Sequence, residues 1–271
     1  MRHVVITGGA SGIGGAVAAR LARGGHRVTI LDRQSSDSSS WWAGLPDSSR
    51  GAWVAVDVTD PDAVEAAIGE AAAVAPIDGL VTCAGVVARG SLVEQELHDF
   101  QRVISVNLMG TVHAVRATLR HVVDAQRPAS IVTLASTAGL GYVTGLSAGY
   151  HVSKSGVIGL TRSVAGDFAK HGIRANVVAP GIVRTPMSQA EVSALSEAAL
   201  AARAPAGRMI EAEEVASVID WLLSPASRLT TGYVFPVDGG QSAVTGAPND
   251  GYPIPLADTR DGAVVLMNEE V

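Results

Sequence analysis

The amino-acid sequence predicts an α/β fold in which helices cover both faces of a doubly wound parallel sheet. Short apolar runs alternate with longer helical patterns along almost the whole chain, as such a sheet requires. A glycine-rich turn, Thr7–Gly14, joins the first apolar run to an alanine-rich helical pattern. The 271 residues are 47% hydrophobic and 17% charged, a composition that indicates a large buried core.

Seven short apolar runs predict the strands. They are continuously apolar rather than alternating, which is typical of parallel strands that are buried on both faces. The predicted strands are Val4–Ile6, Arg27–Leu31, Ala52–Val56, Gly79–Cys83, Ser130–Ala135, Arg174–Ala179 and Tyr233–Val237.

Five longer segments predict the main helices. Asp60 before Pro61 is a typical helix start, because aspartate caps the first turn and proline fits the first helical position. The serine-rich segment Ser35–Ser40 predicts a polar loop after the second strand. The predicted helices are Gly14–Arg23, Pro61–Val74, Glu94–Arg120, Ala148–His171 and Glu211–Leu223.

The alternating pattern stops after Gly240. We therefore expect a catalytic domain over residues 1–246, with a small helical lid over 187–206, and a C-terminal tail over 247–271. The alternatives for this tail are disorder and packing against a neighbouring subunit, and its apolar end, Ala263–Met267, favours packing.

Charge, cysteine content and hydropathy argue against several classes of function. The net charge of −6, without a basic tract, argues against a nucleic-acid partner. Cys83 is the only cysteine, so the chain forms no intrachain disulfide and no thiolate metal cluster. Only three residues precede the first strand, and no apolar run approaches the roughly 18 residues of a membrane span. We expect a soluble, cytoplasmic protein without a membrane partner.

No His/Asp/Glu cluster has the spacing of metal ligands, so no metal site is expected. His113 and His151 are not expected to act as metal ligands or catalytic bases. His151 directly follows Tyr150, and successive residues point about 100° apart on a helix.

The glycine-rich turn predicts a dinucleotide site. Glycines in such a turn let backbone N–H groups approach a pyrophosphate, and the positive end of the following helix attracts it. Asp32 ends the second strand, where a carboxylate accepts hydrogen bonds from the adenosine ribose and repels a 2′-phosphate. Arg33 is the alternative, since its guanidinium could pair with that phosphate; we predict NAD rather than NADP. The predicted cofactor contacts in the turn are Gly8, Ser11, Gly12, Ile13 and Gly14.

Tyr150 and Lys154 predict acid–base chemistry. Four residues apart on a helix, their side chains lie on one face about one turn apart. The lysine ammonium favours the phenolate form of the tyrosine, which can then transfer a proton. Together with a nucleotide site, this pair suggests hydride transfer at a carbon that bears oxygen.

The glycine spacing of residues 7–14, followed by Tyr150 and Lys154, resembles the short-chain dehydrogenase/reductase family. The resemblance runs from about residue 3 to residue 243 and implies a single Rossmann-type sheet of about seven strands. Lys154 and Tyr150 would then also contact the cofactor, with the lysine on the nicotinamide ribose. In the family, Cys83 is usually asparagine, and this departure removes an amide that ties neighbouring strands together. The resemblance further implies contacts with adenine at Asp57 and Val58, and with the cofactor near Ala84 and Gly85.

The resemblance completes the expected site. Ser136 ends a predicted strand fourteen residues before Tyr150 and would hydrogen-bond the substrate oxygen. Ser147 is a rival serine that we expect only to line the pocket. Asn107 falls within a predicted helix, and its family counterpart holds a water that relays protons to the lysine. In the segment 180–185, the Val183 backbone and the Thr185 hydroxyl would hold the nicotinamide carboxamide.

The lid carries few charges, chiefly Glu191, Glu197 and Arg203, so we expect a mainly apolar, uncharged alcohol or ketone as substrate. The leading hypothesis is an NAD-dependent dehydrogenase of secondary alcohols or ketones. One alternative is an NADPH-dependent ketoreductase of carrier-bound 3-oxoacyl groups, and another is a nucleotide sensor without turnover. Apolar faces on Glu94–Arg120 and Ala148–His171 indicate an interface. The family resemblance implies that these helices pair across a two-fold axis and that Tyr233–Gly240 forms a second contact, which together would give a homotetramer.

Overall fold

The computed structural model describes residues 1–36, 39–189 and 196–244, so the predicted tail over 247–271 lies outside the described residues. The strands in the described part are β1 (His3–Thr7), β2 (Arg27–Asp32), β3 (Arg50–Ala55), β4 (Gly79–Thr82), β5 (Ala129–Leu134), β6 (Ile173–Pro180), β7 (Val183–Arg184), β8 (Ile210–Glu211) and β9 (Val234–Val237). The helices are α1 (Gly12–Arg23), α2 (Ser40–Ala43), α3 (Pro61–Val74), α4 (Leu97–Val103), α5 (Gly110–Asp124), α6 (Ala148–Phe168), α7 (Glu197–Ala201) and α8 (Ala212–Leu223).

One parallel sheet organises the molecule, in the strand order β3-β2-β1-β4-β5-β6-β9. This doubly wound, Rossmann-type architecture confirms the predicted fold class. The chain leaves β1 toward β2 on one side and returns to β4 on the other, and a crevice opens at this switch point beyond the carboxyl ends of the strands. β7 and β8 form a separate two-stranded pair.

Aliphatic cores cover both faces of the sheet, as the composition predicts. On one face, Val64 and Ile68 of α3 pack with residues of α5 and α6. On the other face, Leu21 of α1 packs with Val215 and Ile219 of α8. The helix start at Asp60 is confirmed, because its carboxylate accepts hydrogen bonds from the backbone N–H of residues 62 and 63, each at 3.0 Å.

The prediction of one uninterrupted helix over Glu94–Arg120 is wrong. Glu94 belongs to a preceding turn, since its carboxylate accepts from the Ser91 N–H at 3.0 Å and from the Ser91 hydroxyl at 2.7 Å. Helix α4 begins at Leu97, and a π-helical segment, Ile104–Met109, separates it from α5. Such segments add a residue to the helical turn and often occur at functional sites.

The predicted loop Ser35–Ser40 also differs in part, because α2 begins at Ser40. Ser39 is buried, and its hydroxyl donates to the Ala10 carbonyl at 2.8 Å, which fastens this segment to the glycine-rich turn. None of the helices in the described ranges has the length and apolar character needed to cross a membrane.

Candidate active site

A cavity of about 330 Å³ lies at the carboxyl ends of the strands, where the switch point of the sheet leads us to expect a ligand. It brings together almost all the side chains and turns that the sequence singled out. Asn107 and Ser147 are exceptions and do not line it. The predicted residues that line the cavity are Gly8, Ser11, Gly12, Ile13, Gly14, Asp32, Arg33, Asp57, Val58, Ala84, Gly85, Ser136, Tyr150, Lys154, Val183 and Thr185.

The glycine-rich turn forms a cradle that larger residues would fill. Gly8 has a φ of +68°, and a Cβ there would lie 2.6 Å from the Ala84 nitrogen. A Cβ on Gly14 would lie 2.1 Å from the Gly8 carbonyl oxygen. Ser11 caps α1 in an extended conformation, but its side chain accepts no capping hydrogen bond. The turn and the helix N-terminus therefore fit a dinucleotide pyrophosphate, which binds to backbone N–H groups.

Asp32 marks the adenosine end of the cavity. Its carboxylate accepts hydrogen bonds from the Ala10 and Gln34 backbone N–H groups, both at 3.0 Å. These bonds hold the carboxylate in place, and each oxygen keeps a second lone pair for a ribose hydroxyl. Asp32, which the sequence predicts to bind ribose, therefore also joins β2 to the glycine-rich turn.

Arg33 lies beside Asp57 at the same end. Its guanidinium is 67% exposed and stands 3.9 Å from the Asp57 carboxylate. The pKa of Asp57 is lowered chiefly by the hydrogen bond from the Thr59 backbone N–H, and to a lesser degree by Arg33. An exposed ion pair of this length adds little stability, so Arg33 is free to turn toward a ligand.

Trp53 is a neighbour of this end that sequence reasoning missed. Its indole N–H donates to the Gln34 carbonyl at 2.8 Å, and Gln34 lines the cavity. The same ring packs against Trp41 and Trp42, with centroid distances of 6.1 and 5.3 Å. These tryptophans lie near one another in the sequence, although only 4% of the residues are aromatic. This local enrichment could have indicated the cluster.

Lys154 is the buried centre of the opposite end, where the reaction is expected. Only 6% of the residue is exposed, and the ammonium donates to the Leu134 carbonyl at 2.9 Å. The nitrogen lies 5.7 Å from the centre of the Tyr150 ring, so the two side chains are neighbours in the cavity. Burial lowers the pKa of Lys154 to about 8.

Ser136 stands two residues after the end of β5, close to the strand end where it was predicted. Its oxygen accepts the Ala138 N–H at 3.2 Å and so caps the short helical turn Thr137–Gly139. An oxygen that accepts this bond still carries a proton that it can donate to a ligand. Ser147 does not line the cavity as expected: its oxygen caps α6 by accepting the Tyr150 N–H at 3.3 Å, which explains why a serine stands there.

Asn107 lies in the π-helical segment and is 1% exposed. Its side-chain amide accepts the Val86 N–H at 2.8 Å and donates to the Val86 carbonyl at 2.9 Å. A further bond runs from the amide to the Ser153 hydroxyl at 3.2 Å. The side chain thus fixes the segment after β4 against α6, and Gly85 passes close to it.

Cys83, the departure from the family pattern, faces the cavity from the end of β4. Removal from water raises the pKa of its thiol to about 12, so it is a neutral group that supplies no counter-charge for Lys154. The neighbouring strands remain joined here by backbone, because the Cys83 N–H donates to the Thr7 carbonyl at 3.0 Å.

The remaining lining of the cavity is only partly apolar. Val86, Val87, Val143, Leu146 and Met187 supply apolar surface. Three arginines that sequence reasoning did not place there also line it: Arg89, Arg102 and Arg203. The pocket therefore differs from the uncharged one expected. Glu197 forms an ion pair with Arg184 instead of lining the cavity, and Glu191 lies outside the described residues.

The two histidines that were not expected to bind a metal both contact backbone groups. His113 meets the Val58 carbonyl at 2.9 Å, and His151 meets the backbone of residues 143 and 147. In the described part of the chain, no group of three or more metal-ligating side chains comes together.

Comparison of the chain with known proteins identifies its relatives. The family described as enoyl-(acyl carrier protein) reductase matches residues 8–242. The cis-4-hydroxycyclohexanecarboxylate dehydrogenase of Sinomonas cyclohexanicum is 39% identical over 246 residues, which are 90% of this chain and 97% of that protein.

Two solved structures share the whole fold. A 3-oxoacyl-[acyl-carrier protein] reductase from Brucella melitensis with bound NAD is 33% identical, with a TM-score of 0.79 over 90% of this chain and 92% of that one. ElxO with NADP bound is 30% identical, with a TM-score of 0.82 over 89% and 98% of the two chains. These matches cover nearly the full length of each protein. The chain belongs to the short-chain dehydrogenase/reductase family.

Proposed function

We propose that this protein is an NAD-dependent dehydrogenase that interconverts a secondary alcohol and its ketone. The class of enzyme, an oxidoreductase that acts on CH–OH groups, follows from the family and its named relatives. The single observation that carries the proposal is the buried ammonium of Lys154 beneath the ring of Tyr150, with Ser136 in the same cavity.

The proposed chemistry assigns one task to each group. A bound nicotinamide supplies the carbon that receives the hydride from the alcohol. Tyr150, as phenolate, takes the hydroxyl proton as the carbonyl forms. Ser136 donates a hydrogen bond to the same oxygen, and Lys154 stabilises the phenolate electrostatically. Reduction uses the same groups in the opposite direction, with Tyr150 as the acid.

Three further residues hold the cofactor and move the proton in this proposal. Lys154 donates to the nicotinamide ribose, and Val183 and Thr185 hold the carboxamide. Asn107 takes part in proton return through its backbone oxygen and a water, because its amide is already engaged by Val86 and Ser153.

The choice of NAD rests on Asp32. Its carboxylate is held at the end of β2 by two backbone donors and would lie against a 2′-phosphate. Arg33 is the opposing feature, since it is exposed and close enough to turn toward that phosphate. The two solved relatives described above bind NAD and NADP respectively, so both cofactors need to be measured.

A compact alicyclic alcohol is the substrate class that we propose. The relative from Sinomonas cyclohexanicum is named for a hydroxycyclohexane carboxylate, and the valine- and leucine-lined wall suits an apolar ring. The alternative, reduction of a carrier-bound 3-oxoacyl group, is the reaction named for the relative from Brucella melitensis, and the lining arginines are compatible with its phosphate-bearing carrier.

A substrate panel with both cofactors tests this proposal. The panel contains cyclohexanol, cis-4-hydroxycyclohexanecarboxylate, the corresponding ketones and a 3-oxoacyl thioester, each followed at 340 nm with NAD(H) and NADP(H). We expect turnover of an alicyclic alcohol with NAD and a lower kcat/KM with NADP. Turnover of the thioester alone, with NADPH, would instead support the ketoreductase.

The assembly proposed is a homotetramer. An apolar groove on α5 and α6, lined by Val112, Leu119, Val123, Leu160 and Phe168, supports pairing of these helices across a two-fold axis. Light scattering at micromolar concentration should give the tetramer mass, and a monomer would refute this assembly. The cytoplasmic location expected from the sequence stays a prediction.

A further inference from the structure

Val143 and Leu146 form one wall of the cavity beside Tyr150. The segment that carries them, residues 140–146, is hereafter the substrate loop. It contains Gly141 and Gly145, and a Cβ on either glycine would meet no other atom within 4 Å. Gly145 has a φ of +84°, which favours glycine, and both glycines give the segment many accessible backbone conformations. Such a loop needs external bonds to keep a defined wall.

His151 provides one of these bonds. The Val143 backbone N–H donates to its Nε2 at 3.0 Å, which makes this nitrogen an acceptor. Its Nδ1 lies 2.9 Å from the Ser147 carbonyl, and because a carbonyl only accepts, Nδ1 carries the proton. Both ring nitrogens therefore have fixed and opposite roles in a neutral imidazole.

The ring also has a stacking partner in the loop. Tyr142 lies against it with a centroid distance of 5.7 Å and an interplanar angle of 9°, although Tyr142 itself is 82% exposed. His151 thus contacts consecutive loop residues, one through its face and one through its edge. Other attachments of this wall include the Ser147 N–H to the Ala88 carbonyl at 2.9 Å and a backbone bridge between Arg89 and Leu146. At the start of the loop, the Leu140 and Gly141 N–H groups donate to the Thr137 carbonyl at 2.9 and 3.1 Å.

We infer that His151 is a positioning residue for substrate: it holds the substrate loop closed against α6, so that Val143 and Leu146 form the wall next to Tyr150. It sits on the helix beside Tyr150 but faces away from the reaction, toward the loop. This inference rests on the proposed function for its effect on substrate binding, whereas the effect on the loop stands without it.

Three substitutions separate the contacts of His151. His151→Gln places an amide oxygen near the position of Nε2 and keeps an acceptor for the Val143 N–H. His151→Asn places its amide near Nδ1, so it keeps the bond to Ser147 but loses Val143. His151→Phe keeps the stacking with Tyr142 and loses both bonds. Thr144→Ala, an exposed change in the same loop, is the matched control.

Amide hydrogen exchange, followed by mass spectrometry on the peptide covering 140–146, gives the first readout. Loss of one hydrogen bond should speed exchange in the Phe and Asn variants by roughly three- to tenfold. The Gln variant and the Thr144→Ala control should exchange at the wild-type rate. Wild-type exchange in both the Phe and the Asn variant would overturn the inference.

Steady-state kinetics with cyclohexanol and cis-4-hydroxycyclohexanecarboxylate, at saturating NAD, gives the second readout. In the Phe and Asn variants, KM should rise by roughly three- to tenfold with kcat within about twofold of wild type, and Gln should restore KM. A fall in kcat of equal size in all three variants, Gln included, would contradict a positioning role. If the wild type turns over neither alcohol, the proposed function fails on this substrate class, while the exchange rates still decide the role of His151.

Discussion

The two ends of the cofactor cavity are built in different ways. At the reaction end, Asn107, Lys154 and Ser136 are all at least 91% buried and hydrogen-bonded within the protein. At the adenosine end, Arg33 and Asp57 are largely in solvent, and only backbone bonds hold Asp32. Electrostatic interactions are several times stronger where water is excluded. Substitutions at the reaction end should therefore change chemistry, and those at the adenosine end should change cofactor affinity and choice.

The largest effect expected from this contrast is that of Tyr150→Phe. The variant keeps the ring but loses the transferable proton, so kcat should fall by about 10²–10⁴-fold while NAD affinity stays unchanged. Stopped-flow turnover and calorimetric titration with NAD measure the two quantities. Retention of a tenth of the wild-type kcat would contradict the role assigned to Tyr150.

Lys154→Met should come next, because one ammonium has two roles. We expect kcat to fall by about 10²-fold and NAD affinity to fall by about tenfold, through loss of phenolate stabilisation and of the ribose contact. Unchanged NAD affinity would remove the ribose contact from the proposal.

The same variant tests the cost of burying this charge. Burial lowers the pKa of Lys154 from about 10.5, the value for an exposed lysine, to about 8. Between these values the unfolded chain holds a proton that the folded protein has lost, so the stability of the wild type rises with pH relative to Lys154→Met. Below pH 8 the full cost, about 3 kcal/mol, is present. Denaturant unfolding of both proteins from pH 7 to 10.5 measures it; a constant difference would contradict the lowered pKa.

At the adenosine end, Asp32→Ala should shift the NAD/NADP preference by about 10- to 100-fold toward NADP, because a charged hydrogen-bond acceptor and a repulsive charge are both lost. Arg33→Ala is its control and should weaken NADP alone. Ratios of kcat/KM with each cofactor decide this. A wild type that already prefers NADP would make Arg33 the phosphate ligand.

The smallest effect should come from Trp53→Phe. Loss of the indole N–H releases the Gln34 carbonyl and loosens the turn that presents Asp32, so we expect the Kd for NAD to rise about two- to fivefold without change in kcat. Trp42→Phe, in the same aromatic cluster, is the control and should leave the Kd unchanged. Equal effects of the two substitutions would assign the change to packing of the cluster.

The amino-acid sequence was enough to predict the fold class, the alternation of strands and helices, and most of the residues that line the cavity. The motifs could be read because each is local: the glycine-rich turn, the Tyr150–Lys154 spacing and the cap at Asp60 depend on residues within a few positions. The family resemblance supplied the residues that local patterns cannot join, such as Ser136 and Asp57. Their grouping in one cavity follows from the carboxyl ends of parallel strands meeting at one edge.

The contacts between distant segments could not be predicted from the sequence and are known from the folded chain alone. No sequence pattern predicts four of these features. They are the π-helical segment between α4 and α5, the bonds of the Asn107 amide to Val86, the Trp53 bond to Gln34 and the Val143 bond to His151. Each of these contacts depends on which backbone groups lie next to a side chain in the folded protein. Local propensity carries no information about such partners, because they are set by packing between elements remote in the chain.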